Sequence, residues 1–334
     1  MKRIKGIYPG ICEYDNLCLA FCRAARGKRR RPDVMAFEGR FQDNIETLRQ
    51  QLINETPAIG HYRYFTVYDP KLRSICAASF PERVLHHAVM NLCEPVFEKK
   101  SVFDSYACRK DKGSYKAIDR AQQFCKQFEW YLKIDIEKYF DSVDHQVMMT
   151  MLGRYFKDRQ LLGLFRKILD TYETQPGKGM PIGNLISQHF ANVYLTAFDR
   201  FMKENRRIRG YVRYMDDTLI FGRSKAGLKT ELKEMTDWLD TELKLKIKGS
   251  IQLNRTTKGI PFLGYRVFSS HLMLTAGSRN RMFKKFRRYE RRWLEGGWDT
   301  HTLVRHVAPL MSFATKAKTT GLRNDMIKRY GVWS

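Results

Sequence analysis

Apolar and polar positions along this chain fall into blocks whose period switches, and the switches delimit its elements. The run Glu129-Trp130-Tyr131-Leu132-Lys133-Ile134-Asp135-Ile136 is mostly apolar and reaches a carboxylate at its end, which predicts a buried strand. Gly210-Tyr211-Val212-Arg213 and Thr218-Leu219-Ile220-Phe221 are rich in β-branched and aromatic residues and flank Tyr214-Met215-Asp216-Asp217. That pattern predicts strand, tight turn and return strand. Residues 61–68 and 72–77 read as an earlier hairpin closed by Asp69-Pro70-Lys71, and further strands are expected near 261–268 and 271–275. Helical periodicity covers 12–26, 40–53, 81 to about 97, 114–127, 158–173, 184–205 and 225–242. Asp144 stands just before another helical run through Met148, Met149 and Leu152, where an N-cap belongs. Two loops stand out. One is the basic stretch Lys28-Arg29-Arg30-Arg31, stopped by Pro32, and the other is Gly177-Lys178-Gly179-Met180-Pro181.

The last stretch, 273–334, is helical and carries 14 Lys and Arg against 4 Asp and Glu. In its first helix Arg281, Lys284, Lys285, Arg288 and Arg292 share one face, while Met282, Phe286, Tyr289 and Trp293 fall on the other. A solvated face normally mixes signs, and here Glu290 is nearly alone. The pattern suits a helix packed inward on one side and lying along a nucleic-acid backbone on the other.

Charge extends that picture to the whole chain. With 61 Lys and Arg against 35 Asp and Glu, the net charge is +26, and such a field favours a polyanionic partner. No apolar run reaches the roughly 18 residues of a spanning helix, and no apolar segment follows the basic start, so a membrane is a poor candidate and nucleic acid a good one. The basic loop with Arg29 and Arg30 reads equally as solvated surface or as a phosphate contact. The seven cysteines lie within the first 125 residues; Cys18 and Cys22 are four apart, but no second close pair completes a metal site, so buried reduced thiols in a cytoplasmic protein are expected. A length of 334 residues allows two or three closely packed units.

Candidate chemistry centres on carboxylates. Asp216 and Asp217 at a hairpin tip repel one another unless a cation intervenes, and oxygen-only ligation suits Mg²⁺; a plain acidic β-turn is the alternative. Pairing the strand that ends at Asp135 with this hairpin would bring three carboxylates together for two-metal chemistry. Asp141 and Asp144 compete for that role but read better as turn and cap. Phe140 is either core or a ring beneath a nucleotide sugar. Arg73 on the early hairpin has the planar donor fork that grips a triphosphate, with Lys71 a weaker second.

Tyr-Met-Asp-Asp at 214–217, Asp-Ile-x-x-Tyr-Phe at 135–140, Phe262-Leu263-Gly264-Tyr265 and Ser105-Tyr106-Ala107-Cys108-Arg109 stand in the order and spacing of reverse transcriptases. From about residue 18 onward the chain resembles a right-hand polymerase. That resemblance implies an α+β fold: N-terminal helices and fingers over 1–125, a palm of antiparallel sheet plus helices over 126–272 with finger-connecting helices at about 145–180, and a basic helical thumb over 273–334. It implies that Asp135, Asp216 and Asp217, with the Ile136 carbonyl, carry Mg²⁺. Phe140 would be the sugar gate, Arg73 a triphosphate contact, Phe262 to Tyr265 the primer grip, and Lys248 an aid to pyrophosphate departure. Arg109 and the basic thumb face would touch nucleic acid.

Within the reverse transcriptases, Gly179-Met-Pro-Ile182-Gly183-Asn-Leu-Ile-Ser-Gln188 departs from the usual Pro-Gln-Gly and Ser-Pro pattern. Ile-Gly-x-x-x-Ser-Gln, with Tyr106-Ala-Cys-Arg-x-Asp-Lys-Gly113 and Gly27-Lys-Arg-Arg30, is similar to the enzymes of diversity-generating retroelements. That likeness implies Ile182, Gly183 and Gln188 beside the nascent pair. It also implies a template-repeat RNA copied with errors opposite adenines, an RNA/cDNA duplex, deoxynucleotide substrates, a small basic accessory variability protein, and a cytoplasmic setting in a bacterium, archaeon or phage. The alternatives are a group II intron-like or retron enzyme, or a catalytically silent RNA-binding scaffold. No maturase-sized extension or nuclease motif is expected after the thumb, which speaks against the intron type; the 182–188 segment speaks against both the intron and the retron types, and the intact Asp triad against the scaffold.

Overall fold

Across the described residues of this computed structural model, 3–68 and 72–330, nine strands form three antiparallel sheets amid a majority of helix. β1 (Tyr62–Tyr68) and β2 (Leu72–Ala78) make the early hairpin, in register from Tyr62 opposite Ala78 to Tyr68 opposite Leu72. Its turn, with Asp69, Pro70 and the candidate Lys71, lies outside the described residues. β3 (Trp130–Ile134), β4 (Gly210–Tyr214), β5 (Asp217–Gly222) and β6 (Gln252–Arg255) form the central sheet in the order β4-β5-β3-β6. β7 (Ile260–Phe262), β8 (Tyr265–Val267) and β9 (Leu272–Leu274) form the third.

The period-2 pattern explains how the central sheet is sandwiched. Leu132, Ile134, Tyr211 and Ile220 face the main core, which holds the N-terminal helices and the helix Leu185–Arg200. Tyr131, Val212, Leu219 and Phe221 face the opposite way, against the helix Ser114–Cys125 and the third sheet. A third cluster, Met282, Phe286, Ala314 and Met326, holds the three C-terminal helices together.

Several expectations need correction. The proline after the basic loop begins a helix, Pro32–Gly39, because its fixed φ suits the first helical turn. The expected strand at 261–268 is split: Leu263 (φ 48°) and Gly264 (φ 88°) turn the chain between β7 and β8. β6 carries no apolar alternation that would have announced it. The helix expected over 184–205 is α-helical only to Arg200 and continues as a π-helix, Phe201–Asn205. All seven cysteines are free, but Cys22 and Cys108 are exposed rather than buried. Asp144 is an N-cap as expected, its Oδ1 accepting from the Val147 amide at 3.0 Å.

Candidate active site

β3 and β5 pair antiparallel with Ile134 opposite Thr218, so the residue after the one, Asp135, and the residue before the other, Asp217, meet at the same end of the sheet. β4 and β5 close with Tyr214 opposite Asp217, leaving Met215 and Asp216 as the whole turn. Met215 has φ 55°, a conformation that a non-glycine residue rarely takes without support. The support comes from below. Arg213, fully buried, donates from Nη1 to the Met215 carbonyl at 2.9 Å. Its Nε and Nη2 grip both oxygens of the buried Asp199 at 2.6 Å, Nη2 also reaches Ser105 Oγ at 3.0 Å, and Nη1 reaches Asn192 Oδ1 at 3.2 Å. The Tyr211 hydroxyl donates to Asp199 at 2.6 Å as well. The segment Ser105–Arg109 is tied into the same network, with the Tyr106 amide donating to the Arg213 carbonyl at 2.9 Å.

The two carboxylates of the turn respond to this crowding. Burial, and next the neighbouring charge of Asp135, push the Asp216 carboxyl well up; the two side chains are within hydrogen-bonding reach of one another. Burial pushes Asp217 up to about 6, against the pull of the Lys133 ammonium. Lys133 Nζ sits 3.0 Å from Asp217 Oδ2 and also donates to the Pro261 carbonyl at 2.8 Å, while Asp217 Oδ1 is buried with no partner. Lys248 Nζ stands 3.8 Å from Asp135 Oδ2, and its amide donates to the Asp135 carbonyl at 2.8 Å.

These residues fit a hard divalent cation. The donors are all oxygen, burial and then neighbouring carboxylate charge raise the proton affinity of Asp216, and one buried oxygen of Asp217 lacks a partner. Among the described residues no three such side chains converge as a finished cage. Asp135 and Asp216 face each other, and Asp217 is turned toward Lys133.

The other candidates fall into place unevenly. Ile182 lies against the early hairpin, its carbonyl accepting from the Cys76 amide at 2.8 Å. Gly183, at φ +116°, packs so tightly that an added Cβ would stand 2.7 Å from Ile75 Cγ2. Gln188 accepts a weak bond from the Cys108 thiol at 3.3 Å. Phe140 is half-buried, packed on the core, and its carbonyl accepts from the Met180 amide at 2.8 Å. Arg73 is exposed on β2, and Arg30 is exposed near Arg29, which pairs with Glu38 at 3.0 Å.

Two assignments change. Arg109 is not offered to a partner: its guanidinium is buried in a fork on Glu98, with Nε at 2.9 and 3.1 Å from the two oxygens, and it donates to the Ser105 carbonyl at 2.7 Å. Phe262 and Tyr265 are core residues, Tyr265 donates to the Phe313 carbonyl at 2.7 Å, and Leu263 and Gly264 between them are half-buried, Leu263 packed on the same core. On the helix Ala276–Leu294, Lys284, Arg288 and Arg292 are exposed and Arg281 and Lys285 half-buried, while Glu290 lies on the buried side with Met282 and Phe286. Sequence reasoning missed Arg213, Asp199 and Lys133. Arginine in the middle of an apolar strand, and lysine two residues before Asp135 on the same strand face, were the available clues.

The family model described as "Reverse transcriptase (RNA-dependent DNA polymerase)" matches residues 68–267. Protein YkfC of Escherichia coli K12 is 24% identical over 281 residues, 69% of this chain and 72% of that protein. The group II intron-encoded protein LtrA of Lactococcus lactis is 23% identical over 138 residues, 40% of this chain and 23% of LtrA. Apo telomerase from Candida tropicalis shares the fold at a TM-score of 0.53 and 9% identity, over 87% of this chain and 64% of that one. The chain therefore spans less than a quarter of the intron protein and under two thirds of the telomerase.

Proposed function

Because this chain belongs to the reverse transcriptase family of RNA-directed DNA polymerases, we propose that it is the polymerase of a diversity-generating retroelement, copying a template-repeat RNA into adenine-mutagenised cDNA. The observation that carries the polymerase half is the β3–β5 register, which sets Asp135 beside Asp216 and Asp217. Asp135, Asp216 and Asp217, with the Ile136 carbonyl, are the residues that would hold Mg²⁺. Metal bound there would supply activation of a primer 3′ hydroxyl and charge neutralisation for the departing pyrophosphate. Lys133 holds Asp217 in place through its 3.0 Å contact. Lys248, beside Asp135, is placed to neutralise or protonate the leaving pyrophosphate. Arg73 grips the triphosphate from the fingers hairpin, and Phe140 lies beneath the sugar, where a ring disfavours a 2′ hydroxyl. The Leu263-Gly264 turn holds the primer backbone, and the basic face of the 276–294 thumb helix follows the duplex.

The retroelement half rests on Ile182. Its carbonyl fastens the loop to β2, which sets an aliphatic residue, in place of an amide, beside the early hairpin. Removing a hydrogen-bonding group beside the nascent pair loosens discrimination between nucleotides. A small basic accessory protein and the template-repeat RNA are the partners this reading requires. Ile182→Gln should lower misincorporation opposite adenine in cDNA made on the cognate RNA, and an unchanged error spectrum rejects the retroelement reading. Asp216→Asn should abolish extension while RNA binding persists; extension by that variant rejects the polymerase assignment. The likeness to LtrA favours one other reading, a group II intron-like enzyme. It predicts faithful copying of intron RNA and no adenine bias.

A further inference from the structure

A basic cavity of about 770 Å³ opens at the C-terminal end of the helix Leu185–Arg200. Ala197 and Arg200 of that helix stand in its wall, and none of Asp135, Asp216 and Asp217 does. Four cations line it, Arg3, Lys100, Arg154 and Arg200, and no lining residue is acidic. Arg200 is held in place by a 2.9 Å bond from Nη2 to the Lys100 carbonyl, and Arg154 is exposed. Burial, and then Arg200 and Lys99, lower the Lys100 ammonium.

Aromatic faces complete the cavity. Trp238 stacks on Phe201 at 4.8 Å and 10°, and Lys100 lies over the Tyr155 ring at 5.6 Å. Phe201 opens the π-helix Phe201–Asn205, a widening of the helix that is rare and often functional. Gly153 leaves the wall open: a Cβ there would meet nothing within 4 Å.

The geometry points to a nucleotide-binding site, distinct from the polymerase centre, that takes one unstacked nucleotide of an RNA with its base against the Trp238–Tyr155 side and its phosphate among Arg3, Arg154 and Arg200. Volume and chemistry argue for this ligand over a bare phosphate. The cavity is of ligand size, and aromatic stacking with cationic phosphate contacts is how single strands are held without sequence reading. A free mononucleotide shares that chemistry, and the test separates the two. The choice of RNA rests on the polymerase reading; the site itself does not.

The full chain and the variants Arg154→Glu and Trp238→Leu are titrated into a long unstructured fluorescein-labelled RNA, with ATP as competitor. The same preparations extend a short RNA–DNA primer–template. Each variant should bind the long RNA about tenfold more weakly, with a shallower salt dependence for Arg154→Glu, while extension of the short duplex is unchanged. ATP that displaces the RNA from wild type and is not bound by the variants identifies a free-nucleotide site instead. If Trp238→Leu fails to fold, Arg154→Glu and photocrosslinking of 4-thiouridine RNA to the Trp238 or Tyr155 peptide decide the matter. RNA affinity unchanged in Arg154→Glu, with no crosslink to either peptide, overturns the inference. Loss of short-duplex extension in wild type would instead strike the polymerase reading.

Discussion

Replacing Arg213 with methionine tests how the carboxylate hairpin is held up. Arg213 and Asp199 are both fully buried, and every donor group of the guanidinium reaches an acceptor: both Asp199 oxygens, Asn192, Ser105 and the Met215 carbonyl. Methionine fills comparable volume but leaves Asp199 charged and buried with only the Tyr211 hydroxyl. Breaking one side of such a pair costs about 3–5 kcal/mol. With unfolding entropy of about 2.1 cal/mol/K per residue, a chain of this length loses roughly 4–7 °C in melting temperature. Arg213→Met with Asp199→Leu removes both charges and should recover most of that loss. Activity should not follow stability back, because the Met215 carbonyl and Ser105 still lack their donor and the turn carrying Asp216 loses its prop. The assay pairs thermal melts with single-turnover primer extension for the two single variants and the double. Full extension by the refolded double variant would refute the positioning role. An Arg213→Met single variant as stable as wild type would refute the buried-pair energetics.

Two further outcomes follow from the packing. Gly183→Ala puts a methyl 2.7 Å from Ile75 at a φ of +116°, so it should destabilise by about 1–3 kcal/mol and raise the KM for deoxynucleotides several-fold by shifting the hairpin that bears Arg73; denaturation and steady-state kinetics check both, and unchanged values dismiss the contact. His87 and His189 are each pushed down to about 4, chiefly by burial, so the fold resists protonating them. Above about pH 6.5 both states hold these rings neutral and they add no pH dependence; as pH falls from about 6.5 toward 4 the unfolded chain gains protons the fold excludes, and stability drops. Melts from pH 8 to 4 should show that slope flattened in His189→Gln, and an unaltered slope contradicts it.

Much of this was legible because its physics is local. Asp135 ends a strand pattern, Asp216 and Asp217 fill a two-residue turn between β-rich runs, and Asp144 precedes a helical period; each reads from a handful of neighbours. What was missed is set by distant parts of the chain. Arg213 is a buried charge justified by Asp199, fourteen residues earlier, by Asn192, and by Ser105, 108 residues earlier. Lys133 owes its place to Asp217 and the Pro261 carbonyl across the sheet. Arg109 lies in a motif that sequence reading assigned to nucleic acid, yet its guanidinium stabilises the loop through Glu98. β6 is recruited by β3 from Gln-Leu-Asn-Arg, which has no strand period of its own. The split of β7 and β8 turns on the positive φ of Leu263, a residue that gives no warning of it.

The central claim is that Asp135, Asp216 and Asp217 act as one divalent-ion site. The most direct measurement is anomalous diffraction from crystals of the chain with an RNA–DNA primer–template, a non-hydrolysable deoxynucleotide and Mn²⁺ in place of Mg²⁺. Manganese peaks bridging Asp135 and Asp216, with Asp217 alongside, are the predicted result. A fully bound nucleotide with no metal density between Asp135 and the turn at Asp216 would contradict it.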